Sequence, residues 1–159
     1  MPLAGTHIVI TIAVLAAVRK FLKIKFSNRL LLLGGLIGLL PDIDMPLALA
    51  INRIFGTSVY FHKIYTHALL IPLVLYLTAL TVKKFNVKAA TAILIAAVAW
   101  LVHVSLDCYS TFGLAPSLVP NWNGFGFCAG FLSPEGLMQF DGAVLFLFLL
   151  YLAYKSGKN

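Results

Sequence analysis

The sequence predicts an all-α integral membrane protein: about five transmembrane helices, with a re-entrant or interfacial aromatic loop before the last. Three observations lead there. Of 159 residues, 61% are hydrophobic and only 11% charged, where a soluble domain carries roughly a quarter charged residues. Mean hydropathy is +0.97. The basic residues stand in short clusters between apolar runs instead of being spread over a surface. No linker or low-complexity tract interrupts the chain, so residues 1–159 read as one membrane-embedded domain.

The first apolar run, Leu3–Val18, has no basic leader before it and its positive charges after it, so it reads as a retained helix and not a cleaved signal. The second, Leu30–Leu40, carries Gly34, Gly35 and Gly38, small residues that permit close helix packing. It ends at Pro41. Pro46–Phe55, "PLALAINRIF", is amphipathic and suits a helix lying in the interface. The third run, Thr66–Val82, contains Pro72, which is expected to bend it. The fourth is Ala89–Leu106. Thr111–Gly136 is rich in Gly, Pro and aromatics and reads as a structured interfacial loop. Its segment "NWNGFGFCAGF" (121–131) is an aromatic anchor or a cover for a site. The fifth run is Asp141–Tyr154. Several of these fall short of the roughly 20 residues of a full span.

Net charge is +7. Arg19, Lys20, Lys23, Lys25 and Arg29 follow the first run, Lys83, Lys84 and Lys88 join the third to the fourth, and Lys155 and Lys158 close the chain. Lys and Arg accumulate in cytoplasmic loops. The N-terminus is then outside and the C-terminus cytoplasmic, with Arg53 and Lys63 as exceptions on the outer side. The clusters lack the aromatic interleaving of a nucleic-acid surface and fit a membrane surface instead, so no nucleic-acid partner is expected. Two cysteines, Cys108 and Cys128, allow one disulfide, and their spacing is not that of a cysteine zinc site.

In this layout all nine Asp, Glu and His side chains collect near one membrane face. His7 opens the first helix. Asp42 and Asp44 follow the second. His62 and His67, in "HKIYTH", precede and open the third. His103 and Asp107, in "HVSLD", are four apart and share one helix face. Glu135 and Asp141 precede and open the fifth, where a solvated loop charge and a helix cap are the simplest roles. Thr6 and Thr66 also stand where helix caps would. Ionisable groups near hydrocarbon are expensive and are functional by default. Imidazole with carboxylate suits zinc, manganese or iron. The set exceeds what one tetrahedral ion needs, so two or more ions are expected, as in two-metal phosphoester chemistry.

"LPDID" (40–44), "HKIYTH" (62–67) and "HVSLDCYSTFG" (103–113), with "TH" at 6–7, resemble the family of LexA-regulated, membrane-bound, metal-dependent hydrolases. The resemblance covers most of the chain in order. It implies metal-site roles for His7, Asp42, Asp44, His62, His67, His103 and Asp107. Lys63, Ile64 and Ala68 depart from the family's usual Arg, Gly and Ser, so a phosphate contact at 63 would come from a point-charge lysine. More distantly, the His and Asp set is similar to that of zinc-dependent phospholipase C.

The expected function is therefore a membrane-embedded, metal-dependent hydrolase acting on a lipid phosphoester at the outer interface. Asp42 and Asp44 are candidates as ligands or as base, and Lys63 and Arg53 as phosphate contacts. Two other classes stand beside it. A metal transporter would place its site near the bilayer midplane with access from both sides. A structural metal staple would be four-coordinate and closed.

Overall fold

The computed structural model describes residues 4–58, 65–108 and 133–156. Every regular element among them is helical: α1 (Ala4–Phe21), α2 (Asn28–Ile37), a 3-10 turn (Leu40–Ile43), α3 (Asp44–Phe55), α4 (Leu70–Val82), α5 (Val87–Cys108) and α6 (Pro134–Ser156).

Local chemistry sets the boundaries. Ser27 caps α2 by accepting the Leu30 amide at 3.2 Å, which satisfies one of the donors a helix start leaves open. Arg19 closes the turn before it, donating to Asn28 Oδ1 at 2.8 Å with its guanidinium over the Phe26 ring. Pro41 lies in the 3-10 turn that follows α2. Gly56, at φ 62°, ends α3 in the left-handed conformation glycine adopts freely. Asn86 caps α5 through the Ala89 amide. Ser133 caps α6 through the Gly136 amide.

Two expectations are corrected here. Pro72 does not bend a helix running from Thr66. The helix starts at Leu70, so Pro72 sits in its first turn, where an amide would lack an intrahelical partner anyway. Asp141 does not cap the last helix, because α6 starts seven residues earlier and places Asp141 inside it.

The count of five spans is also corrected. Among the described residues, three helices are long and apolar enough to cross a membrane: α1, α5 and, within α6, Glu135–Lys155. A fourth crossing exists if α2 and the segment Leu40–Phe55, bent by 43°, count as one broken span. The 10 residues of α2 reach about 15 Å and the 13 of α4 about 20 Å, against a hydrocarbon core of about 30 Å. The sequence run of the third segment included residues 66–69, which belong to a turn. Residues 111–132 of the expected aromatic loop lie outside the described residues, and its last residues, 133–136, instead cap and open α6.

Packing is the reverse of a soluble protein's. Leu, Phe and Tyr side chains along α2, α4 and α6 are exposed, while Thr6, His7, Thr11, Asp44, His67, His103, Asp107 and Asp141 are buried. Lipid is as apolar as leucine, so a membrane protein gains nothing by hiding leucine and hides polar groups instead. The small apolar core, Leu15, Leu31 and Ile95, joins α1, α2 and α5. Glycine makes that junction possible. A Cβ on Gly34 would strike the side chains of Leu15 and Ile95, and one on Gly35 would lie 2.7 Å from Ile12 Cγ1. The backbone of α2 therefore lies directly against α1 and α5. Their ends meet: the start of α1, the end of α2 and the end of α5, with the turn before α4 folded onto them.

Candidate metal centre

Each polar group at this junction is brought by a different element. His7 lies one turn into α1. Asp42 comes from the 3-10 turn, which Pro41 and the close-packed α2 hold against α5. His67 stands in the turn before α4. His103 and Asp107 project from the last turns of α5, one helical turn apart. Trp100, one turn below, donates from Nε1 to the Thr66 carbonyl at 2.7 Å and ties the His67 turn to α5.

One donor atom from each of four residues converges: Asp42 Oδ1, His67 Nε2, His103 Nε2 and Asp107 Oδ2. All lie within 4.8 Å of one another. His67 Nε2 is 3.0 Å from Asp107 Oδ2, 3.2 Å from His103 Nε2 and 3.5 Å from Asp42 Oδ1. His103 Nε2 is 3.4 Å from Asp42 Oδ1 and 3.7 Å from Asp107 Oδ2. Four ligands at zinc distances in a tetrahedron stand about 3.4 Å apart. The five separations are thus close to the edges of such a tetrahedron, so the residues fit a divalent ion of this type. Three of the four side chains are at most 4% exposed, and Asp42, at 29%, is the open edge.

The tautomers suit the same task. His103 Nδ1 is 2.6 Å from the Gly38 carbonyl oxygen, an acceptor only, so Nδ1 carries a proton and donates it. That carbonyl is free because α2 ends there. The second ring nitrogen is then left for a ligand role. Around His67 burial opposes a positive charge, but hydrogen bonds to the carboxylates of Asp107 and Asp42 outweigh it and raise the imidazole pKa above its ordinary 6.5.

The other residues expected at the site fall in different places. His7 is fully buried, stacks on His103 at 4.1 Å between ring centres and lies 3.5 Å from Asp107 Oδ1, the oxygen turned away from the tetrahedron. Neither of its ring nitrogens has a hydrogen-bond partner among the described residues. Asp44 stands one layer out, 4.0 Å from His67 Nδ1. Its Oδ2 accepts the Thr66 hydroxyl at 2.5 Å. His62 and Lys63 lie outside the described residues. Arg53 is exposed in the last turn of α3, and Glu135 is exposed in the first turn of α6. Asp141 is buried in α6, Thr6 is buried inside α1, and Cys108 is disulfide-bonded.

Sequence reasoning passed over two contributors. Thr66 is not a helix cap but bridges Asp44 to His67, and Trp100 anchors its backbone. The one signal available was their nearness in sequence to His67 and His103.

Residues 1–158 match the family model described as YdjM inner membrane protein. The chain belongs to the YdjM inner membrane protein family. That membership covers the resemblance drawn from "LPDID", "HKIYTH" and "HVSLD", and it agrees with the apolar helices in placing the chain in a membrane. No curated protein and no solved structure matches the chain. The likeness to zinc-dependent phospholipase C gains no support from these comparisons. In this YdjM-family chain, then, a buried Asp, His, His and Asp group able to hold a metal ion sits at one end of the helix bundle.

Proposed function

We propose that the protein is a membrane-embedded, metal-dependent hydrolase that cleaves a phosphoester of a lipid, with its site on the extracytoplasmic face. One observation carries this reading: four donor atoms, five of whose six separations are close to the edges of a zinc tetrahedron, three buried and one at an open edge. A closed structural site would bury all four, whereas a catalytic site keeps access for substrate. When bound, a zinc, manganese or iron ion supplies Lewis acidity toward the phosphoryl group and the attacking water.

The chain's own residues do the rest. His67, His103 and Asp107 hold the ion from the buried side. Asp42, at the edge, would complete the donor set on the side from which water and substrate enter. His7 backs Asp107 through its second oxygen and is the group a further ion would draw on. Lys63 is proposed to meet the phosphate as a point charge. The lipid itself supplies the substrate, since exposed apolar side chains surround the bundle. The Lys and Arg clusters at the opposite helix ends support this sidedness, since such clusters accumulate on the cytoplasmic side.

The test is a screen of phospholipids and lipid phosphates with detergent-solubilised protein loaded with zinc or manganese. Wild type is expected to release phosphate or a phosphorylated headgroup, and Asp42→Asn to lose that activity while still extracting as folded protein. Inactive wild type across all substrates and metals overturns the reading.

A further inference from the structure

The buried carboxylate of Asp44 lies outside the tetrahedron and is linked to it by the Thr66 hydroxyl. Thr66 Oγ1 donates to Asp44 Oδ2 at 2.5 Å and lies 2.9 Å from His67 Nδ1. A hydroxyl has one proton to give. With that proton on the carboxylate, only lone pairs face His67, so Nδ1 must be the donor. A neutral imidazole with its proton on Nδ1 has an accepting Nε2. His103 reaches the same state through the Gly38 carbonyl. Two rings thus turn the same nitrogen toward the same point by two different devices, one backbone and one side chain.

The side-chain device depends on charge. An ionised Asp44 accepts only. A neutral amide in its place could donate to the threonine oxygen, freeing the hydroxyl to turn its own proton onto Nδ1. The ring proton would then move to Nε2 and point into the donor set. The Trp100 hydrogen bond to the Thr66 carbonyl fixes where the hydroxyl stands, so the chain has little freedom to rearrange.

We infer that Asp44 and Thr66 are positioning residues: the Asp44 carboxylate, acting through the Thr66 hydroxyl, fixes the tautomer in which His67 presents Nε2 to a divalent cation, and Asp44 is not itself a ligand. This rests on the metal-binding part of the proposed function and is independent of which bond the protein cleaves.

The experiment measures zinc affinity of the full-length, detergent-solubilised protein against a chromophoric chelator. Outer partners of metal-bound histidines contribute about 10–100-fold in affinity. Thr66→Val and Asp44→Asn should each weaken zinc binding by that order, and Thr66→Ser, which keeps the hydroxyl, should bind like wild type. The double variant should be no weaker than the weaker single, because both changes break one chain. Thr66→Ala, which removes the hydroxyl with less bulk, replaces Thr66→Val where the latter does not extract as folded protein. Wild-type affinity in the variants lacking the hydroxyl, or losses that add in the double variant as for a direct ligand at Asp44, overturns the inference alone. A wild-type protein that binds no zinc overturns the metal reading with it.

Discussion

Asp107 serves three histidines at once. Its Oδ2 stands 3.0 Å from His67 Nε2 and 3.7 Å from His103 Nε2, and its Oδ1 faces the buried ring of His7. Water cannot easily take its place in a site this closed, whereas it can at the half-open Asp42. Asp107→Ala should therefore lower the zinc content of purified, reconstituted protein further than Asp42→Ala does. Elemental analysis checks this, and equal metal in wild type and Asp107→Ala would remove Asp107 from the ligand set. Protons give a second expectation. In the metal-free protein the raised pKa of His67 means that the folded state binds this proton more tightly than the unfolded state does. The resulting stabilisation is complete below the ordinary value of 6.5 and is lost as pH rises through the higher folded value. Zinc must displace the same proton, so its affinity gains over that window. Raising the pH above 6.5 should lower the metal-free melting temperature while strengthening zinc binding. Scanning calorimetry and chelator competition across the same buffers read the two trends. Trends of the same sign would show that another group governs the titration.

At the scale of elements, α2 is held by what it lacks. Gly34→Val would push a side chain into Leu15 and Ile95 and force α2 off α1 and α5. Overpacking of this kind destabilises by about 1–3 kcal/mol. The variant should extract in lower yield and melt earlier, and it should also bind zinc less well, because α2 carries both the Gly38 carbonyl and the turn bearing Asp42. Gly142→Ala on α6, where an added Cβ meets nothing, is the control and should melt like wild type. The glycines of α2 and their packing role were legible in the sequence, since small residues in an apolar run have few other uses. So was the His103 and Asp107 pair, because a spacing of four is a property of any helix. The extent of the third run was not legible. Ala68 and Leu69 are as apolar as the helix that follows, so hydropathy could not show that they belong to a turn. The start of α6 at Pro134 was missed for the opposite reason: "SPEGLMQFD" is polar enough to read as loop, yet Ser133 caps it as a helix. Asp44 looked equivalent to Asp42 two residues away. Only the change from the 3-10 turn to α3 between them turns one carboxylate into the donor set and the other toward Thr66.

For the whole molecule, the donor set and the basic clusters occupy opposite helix ends. A cysteine at position 84 should be labelled from the cytoplasm, and one at the exposed position 135, at the donor-set end, from the opposite side, in a background lacking native cysteines. Labelling of both from one side would contradict a bundle whose helices alternate between the two ends. The short elements carry a further consequence. Starting from the basic end, α2 rises about 15 Å to its last residue, and α5 rises about 22 Å from Lys88 to His103. With those basic ends at one surface of a core about 30 Å deep, the donor atoms stand several ångströms beneath the opposite surface. Bulk water and phosphate groups do not reside at that depth in a flat bilayer. Either the membrane dips over the centre, or a lipid sinks to present its headgroup there. In both cases the lipid's own dimensions would bear on the proposed hydrolysis. Vesicles of shorter-chain lipids, whose surface lies nearer the donors, should then support faster turnover than longer-chain vesicles carrying the same headgroup.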